Sequence, residues 1–208
     1  MSFDAWFKQT KPIMPVIVIE DLDHAVPLAK TLMAGGIHCL EVTLRTPQGL
    51  AAIEKIAQEC PDAIIGAGTV TSAEQMRQVK AAGAKFVISP GISHELCAAA
   101  KELDLPYAPG VMTPSEIILG MGYGISLFKL FPADMAGGPK MIKALSGPFP
   151  TIKFCPTGGV SEKNAAEYFI LDNVSAVGGS WVCPKVLVIE KKWSEIEALA
   201  SAVQTNTL

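Results

Sequence analysis

The chain has 208 residues, a formal net charge of -3, half of its residues apolar and only 18 per cent charged. That length supports one substantial core or two small ones, and so low a charged fraction means that much of the chain is interior or interface. The charge balance and the absence of a basic run argue against nucleic acid or an anionic membrane surface as a partner, whereas a phosphorylated metabolite needs only local positive potential. No apolar stretch approaches the roughly 18 residues of a membrane span. The opening MSFDAWFK lacks the basic head and apolar core of a secretory leader. Cys39, Cys60, Cys97, Cys155 and Cys183 are odd in number and widely spaced, with no C-x-x-C pair, and read as reduced thiols of a cytoplasmic protein. His24, His38 and His94 share no ligand spacing, so no metal site is expected.

In chain order, Phe3, Trp6 and Phe7 follow helical spacing and predict an N-terminal capping helix. Short β-rich runs then predict strands at 16–19, 39–43, 64–68, 86–89, 107–109, 127–130, 153–156 and 176–179. Helical patterns lie between them. Asp23 is placed to cap 25–34, Thr46-Pro47 to open 48–60, Ser72 to open 73–82 and Ser93 to open 94–103. Thr113-Pro114 begins 115–121, Gly138-Pro139 precedes 140–145, and Ser161 precedes 162–171. Gly35-Gly36, Gly83, Gly122 and Gly124 stand where helices want a left-handed residue. Trp193, Ile196, Leu199 and Val203 form a last helical stripe, read like the first as a packing surface. Eight strand-helix units spaced by about 20 to 26 residues predict a single (β/α)8 barrel over 1–208. A doubly wound open sheet is the alternative, but no G-x-G-x-x-G follows the first strand.

Chemistry enters at Lys129, inside the apolar run ISLFKLFP. A lysine in a buried strand must neutralise, pair or react. Desolvation disfavours an ammonium and favours a nucleophilic amine able to form a Schiff base with a ketone. Taken alone, the residue fits equally well a lysine that snorkels or answers a carboxylate. A second cluster, Glu41-Val42-Thr43-Leu44-Arg45, ends another strand, and alternation puts Glu41, Thr43 and Arg45 on one face. That layout suits a proton shuttle beneath an anion clamp, or else a Glu/Arg pair that satisfies itself. Strand seven runs into Thr157-Gly158-Gly159, strand eight into Gly178-Gly179-Ser180, and both turns sit where barrels bind phosphate. Gly66-Ala67-Gly68-Thr69 ends strand three in the same way, with the Thr69 hydroxyl at the mouth.

Together LEVTLRT, GAGTV, ISPG, FKLFPA, FCPTGG and GGSW resemble the 2-keto-3-deoxy-6-phosphogluconate (KDPG) aldolases, class I enzymes of the Entner-Doudoroff pathway. The resemblance covers essentially the whole chain. It implies a homotrimeric barrel without cofactor or metal that works through a lysine imine. It assigns Lys129 to the Schiff base, Glu41 to general acid/base work and Arg45 to the substrate carboxylate. Thr69 and Thr157 become further substrate contacts, Pro90 and Phe131 shape the pocket, and Gly158, Gly159 and Ser180 cradle phosphate. The related phosphogalactonate aldolases match less well. Cleavage of 4-hydroxy-2-oxoglutarate is implied as a second activity. Two other readings compete. One is a phosphate-gripping isomerase, epimerase or decarboxylase in which Lys129 stays charged. The other is a regulatory protein on a retired barrel.

Overall fold

The computed structural model describes residues 3–7, 10 and 12–203, so the single unit expected over 1–208 extends beyond the described residues at both ends. The elements run α1 (Phe3–Phe7), β1 (Ile13–Ile17), a 3-10 turn (Leu22–His24), α2 (Ala25–Ala34), β2 (Cys39–Thr43), α3 (Gly49–Glu59) and β3 (Ile64–Gly68). They continue with α4 (Ala73–Ala81), β4 (Phe86–Ile88), α5 (His94–Glu102), β5 (Tyr107–Ala108), β6 (Gly110–Val111), α6 (Pro114–Met121) and β7 (Leu127–Leu130). The chain then forms α7 (Gly138–Leu145), β8 (Lys153–Phe154), α8 (Ala165–Phe169), β9 (Val177–Gly179), α9 (Lys185–Ile189) and α10 (Trp193–Ala202).

All strand pairs are parallel. One sheet has the order β5-β4-β3-β2-β1-β9 and a second the order β6-β7-β8. The sequential order of β1 to β5 excludes the doubly wound alternative, whose order reverses at a switch point. Only Pro109 separates β5 from β6. Isolated parallel bridges Phe154↔Val174 and Thr157↔Gly178 link the β8 segment to the β9 segment.

Strand alternation divides the interior in two. Ile17, Leu40, Val42, Ile65, Ala67, Val87, Phe128 and Leu130 pack against the helices in the larger cluster. Met14, Cys39, Phe86, Ile88, Ala108, Leu127, Cys155 and Ala176, from both sheets, meet on the opposite faces of the strands. The aromatic stripe of α1 closes this second cluster. The Phe3 and Trp6 rings lie 5.3 and 5.8 Å from the ring of Phe86, which the side-chain-free Gly66 admits on the neighbouring strand.

Side-chain caps begin three of the helices. Ser72 and Ser93 accept the N–H of Gln75 and Leu96, and Thr113 forms a reciprocal capping box with Glu116 behind Pro114. Asp23 does not cap α2. Asp21 accepts the Asp23 N–H instead and starts the 3-10 turn, so α2 begins on His24 without a side-chain cap. The first strand starts three residues earlier than expected, because Pro15 is accommodated within it opposite Gly179. Gly36, Gly83 and Gly124 are left-handed as expected, but Gly35 and Gly122 keep negative φ and stay on the helical side of their turns.

Phe86→Ala is expected to cost about 3 to 5 kcal/mol, since it empties the floor under α1 at a site that neighbouring strands cannot collapse to fill. Urea unfolding at unchanged m-value measures this. A loss near 1 kcal/mol would mean that α1 sinks into the space.

Candidate active site

Strand β2 carries Glu41 and β7 carries Lys129, and both point to the face shared with the second cluster. Lys129 Nζ lies 3.3 Å from Glu41 Oε1, with side-chain exposures of 4 and 1 per cent. Of the three fates open to a buried lysine, this one is paired, and by the carboxylate that the sequence places at the end of another strand. An ion pair this deep offsets desolvation only when both partners stay in register. Two glycines supply the room. A Cβ at Gly68 would lie 2.1 Å from Glu41 Oε1, and one at Gly178 would lie 2.1 Å from Thr157 Oγ1. Gly110 is the register partner of Lys129, and the space a side chain would take there is filled by the backbone of Pro90. Glu41 and Thr157 therefore each lie against a glycine of a neighbouring strand.

Among the described residues the floor is built from apolar side chains and buried thiols. Burial pushes the Cys155 thiol up to about 12, with Lys129 opposing and Glu41 reinforcing the rise, and burial pushes Cys39 up as well. Neither thiol competes for the ammonium as a thiolate. Thr157 is buried and donates to the Cys155 carbonyl at 3.3 Å. The Phe131 ring centroid is 5.1 Å from Lys129 Nζ, within cation–π reach.

Arg45 corrects one expectation. Strand β2 ends at Thr43, whose hydroxyl donates to the Ile17 carbonyl, so Arg45 stands in the turn beyond and is exposed rather than sharing the strand face. Its Nε donates to Thr69 Oγ1 at 3.2 Å, and Thr69 holds a left-handed φ of 62° that presents this hydroxyl at the mouth. Arg45 and Ser180 line one cleft of ≈ 320 Å³.

The two glycine turns differ. Gly158 and Gly159 are a true turn with φ of 93° and 78°, tied to the segment after β7 by the Asp134 N–H bond to Gly158 O. A Cβ at Gly159 would strike Asp134 Cγ at 2.3 Å, so this glycine has a packing reason independent of any anion. Gly178 and Gly179 are strand residues of β9, not a turn, and make room for Thr157 and Trp181. Pro90 is exposed, and its carbonyl sits where a Cβ at Gly110 would meet it at 2.3 Å. Its loop is held by a buried hydroxyl chain that the motifs did not reveal. Tyr107 Oη lies 2.6 Å from Ser89 Oγ, and Ser89 donates to the Gly91 carbonyl. Among the described residues no group of three or more His, Cys, Asp or Glu side chains is gathered to hold a metal.

The sequence profile described as KDPG and KHG aldolase matches residues 4–199. The chain belongs to this aldolase family. Over 189 residues it is 53% identical to the 2-dehydro-3-deoxy-phosphogluconate aldolase of Dickeya dadantii, spanning 91% of this chain and 89% of that protein. The KHG/KDPG aldolase of Escherichia coli K12 is 49% identical over 191 residues, 92% of this chain and 90% of that one. Among solved structures, the KDPG aldolase of Legionella pneumophila, with pyruvate captured as a covalent carbinolamine, superposes with a TM-score of 0.94 at 49% identity, covering 98% of both chains. In this aldolase-family chain the Lys129–Glu41 contact is thus set in a scaffold close to one that has held pyruvate covalently.

Gly68→Ala tests the space argument. The added methyl is expected to destabilise the protein by about 1 to 3 kcal/mol and to move Glu41 out of hydrogen-bond reach of Lys129, as seen in a crystal structure of the variant. An intact pair at unchanged stability would show that β3 can shift to make room.

Proposed function

We propose that the chain is a class I aldolase that cleaves KDPG to pyruvate and glyceraldehyde 3-phosphate, and 4-hydroxy-2-oxoglutarate to pyruvate and glyoxylate. The observation that carries this is the buried Lys129–Glu41 contact at 3.3 Å, an amine and a proton acceptor side by side and shielded from water. Glu41 takes a proton from the Lys129 ammonium, the freed amine attacks the C2 ketone, and the carboxyl returns that proton to the departing hydroxyl, so that loss of water leaves a protonated imine that accepts electrons and a Glu41 carboxylate. Glu41 takes the C4 hydroxyl proton as the C3–C4 bond breaks. Glyceraldehyde 3-phosphate departs and an enamine of pyruvate remains. The same carboxylate returns a proton to C3, and water hydrolyses the imine. Arg45 grips the substrate carboxylate through its planar fork while Thr69 orients the guanidinium. Thr157, Pro90 and Phe131 bound the ketone, and Gly158, Gly159 and Ser180 receive the phosphate.

Three wider readings belong with this one. The two sheets are read as one closed (β/α)8 barrel over 1–208 capped by α1, supported by the single residue between β5 and β6 and the bridges from β8 to the β9 segment. A homotrimer is supported by the exposed apolar side chains Met112, Ile118 and Met121 on and beside α6. A cytoplasmic setting is supported by five free, buried cysteines. The partners are then small molecules, with no cofactor called for by the chemistry.

Borohydride reduction in the presence of pyruvate tests the reaction class, since only an imine is trapped as a stable adduct. Lys129→Met is expected to abolish both trapping and cleavage, with some loss of stability because Glu41 is left buried without its partner. Trapping retained at another lysine would remove Lys129 from its role. Glu41→Gln is expected to form the pyruvate imine slowly and to slow exchange of the pyruvate methyl protons with solvent on the order of 100-fold or more. Exchange at the wild-type rate would show that another group shuttles the proton.

A further inference from the structure

The cleft that holds Arg45 and Ser180 contains a second cation that no motif marks. Lys185, the first residue of α9, lines the same ≈ 320 Å³ space. Its Nζ lies 2.6 Å from Glu20 Oε1, and the two side chains are 63 and 49 per cent exposed. Glu20 follows β1 and Lys185 follows β9, strands paired directly through Met14↔Gly178 and Pro15↔Gly179. The ion pair therefore ties the segment after β1 to α9 at the cleft that Ser180 also lines.

We propose that Lys185 is an additional ligand for the phosphate end of the substrate, and that Glu20 holds it in reserve until the phosphate arrives. This rests on the aldolase reading above and adds a residue that sets preference for phosphorylated substrates. An exposed carboxylate binds a lysine weakly because water screens both charges. A phosphate monoester carries about -1.5 to -2 charge near neutral pH and offers three acceptor oxygens, so it outcompetes a single exposed carboxylate for the same ammonium. Lysine suits an exchange of partners, being a point charge with three donors on a flexible stem, whereas the planar fork of Arg45 suits a fixed carboxylate. Ser180 and Lys185 together give the cleft one neutral and one cationic donor. Glu20 then has two effects of opposite sign. It pre-positions the ammonium at the rim, and it opposes the incoming anion.

The test compares wild type with Lys185→Met and Glu20→Gln, using KDPG, 4-hydroxy-2-oxoglutarate and inorganic phosphate as a competitive inhibitor. In Lys185→Met the ratio of kcat/KM for KDPG to that for 4-hydroxy-2-oxoglutarate is expected to fall about tenfold, through KM, and the Ki of inorganic phosphate to rise in parallel, the scale of losing one charge-assisted hydrogen bond. In Glu20→Gln the same ratio is expected to rise about threefold and the Ki to fall, because release of Lys185 removes both the competitor and the repulsion. An unchanged ratio in Lys185→Met, or a ratio that falls in Glu20→Gln, would overturn the proposal and leave the pair a rim tie between β1 and α9. Wild-type protein that cleaves neither substrate and traps no pyruvate would overturn the aldolase reading itself, a result visible before any variant is made.

Discussion

A lysine and a glutamate buried within 3.3 Å of each other govern the design of this interior. Neither charge can be stranded, since an unpaired buried ion costs far more than the pair gains, so the strands on which they stand must hold register to within a fraction of an ångström. Register here is carried by parallel ladders on both sides: Glu41 is opposite Val16 and Gly66, and Lys129 is opposite Gly110. Among the described residues, the neutral thiols of Cys39 and Cys155 and the aromatic floor closed by α1 form an apolar surrounding for the pair. The pair's mutual dependence is thus what the apolar floor and the bare glycine positions serve.

Around this centre the rim is assembled from separate loops, each with its own anchoring. The Pro90 loop is held through Tyr107 and Ser89 to the Gly91 carbonyl, a chain in which each hydroxyl can donate once if Tyr107 gives to Ser89 and Ser89 gives to Gly91. The Gly158-Gly159 turn leans on Pro132 and Asp134 of the preceding loop. Arg45 is steadied by Thr69 across the end of β3. Rim residues are more exposed than the centre, as expected where substrates enter and where binding determinants vary at little cost to the core.

Much of this was readable in the residues, and the exceptions have physical causes. The strands at 39–43, 64–68 and 127–130 match their expected bounds because each is a short apolar run with clear punctuation, and Ser72, Ser93 and Thr113 cap as their hydroxyls predict. Prolines blurred the others. Pro15 lies inside a strand, while Pro109 splits one run into β5 and β6, and Pro156 follows the short β8. The Lys129–Glu41 pairing was within reach because both residues interrupt buried strands. Arg45 was drawn onto the strand face by carrying alternation two residues past the expected strand end at Thr43, into a turn where alternation no longer holds. Tyr107, Ser89 and Lys185 went unnoticed because a hydroxyl in an apolar run and a lysine opening a helix have many ordinary explanations, and only their partners in space single them out. Family resemblance supplied roles for residues such as Thr157 and Phe131 that spacing alone left open.

Strand β3 presents glycine at both 66 and 68 on its inner side, and each neighbouring strand leans a long side chain into that vacant lane, Phe86 from β4 and Glu41 from β2. The lane belongs to no single residue. It is shared volume, and a mutation at either glycine would disturb aromatic packing or the carboxylate according to which tenant it displaced. Drift in this protein is accordingly constrained in pairs of positions on adjacent strands rather than one position at a time.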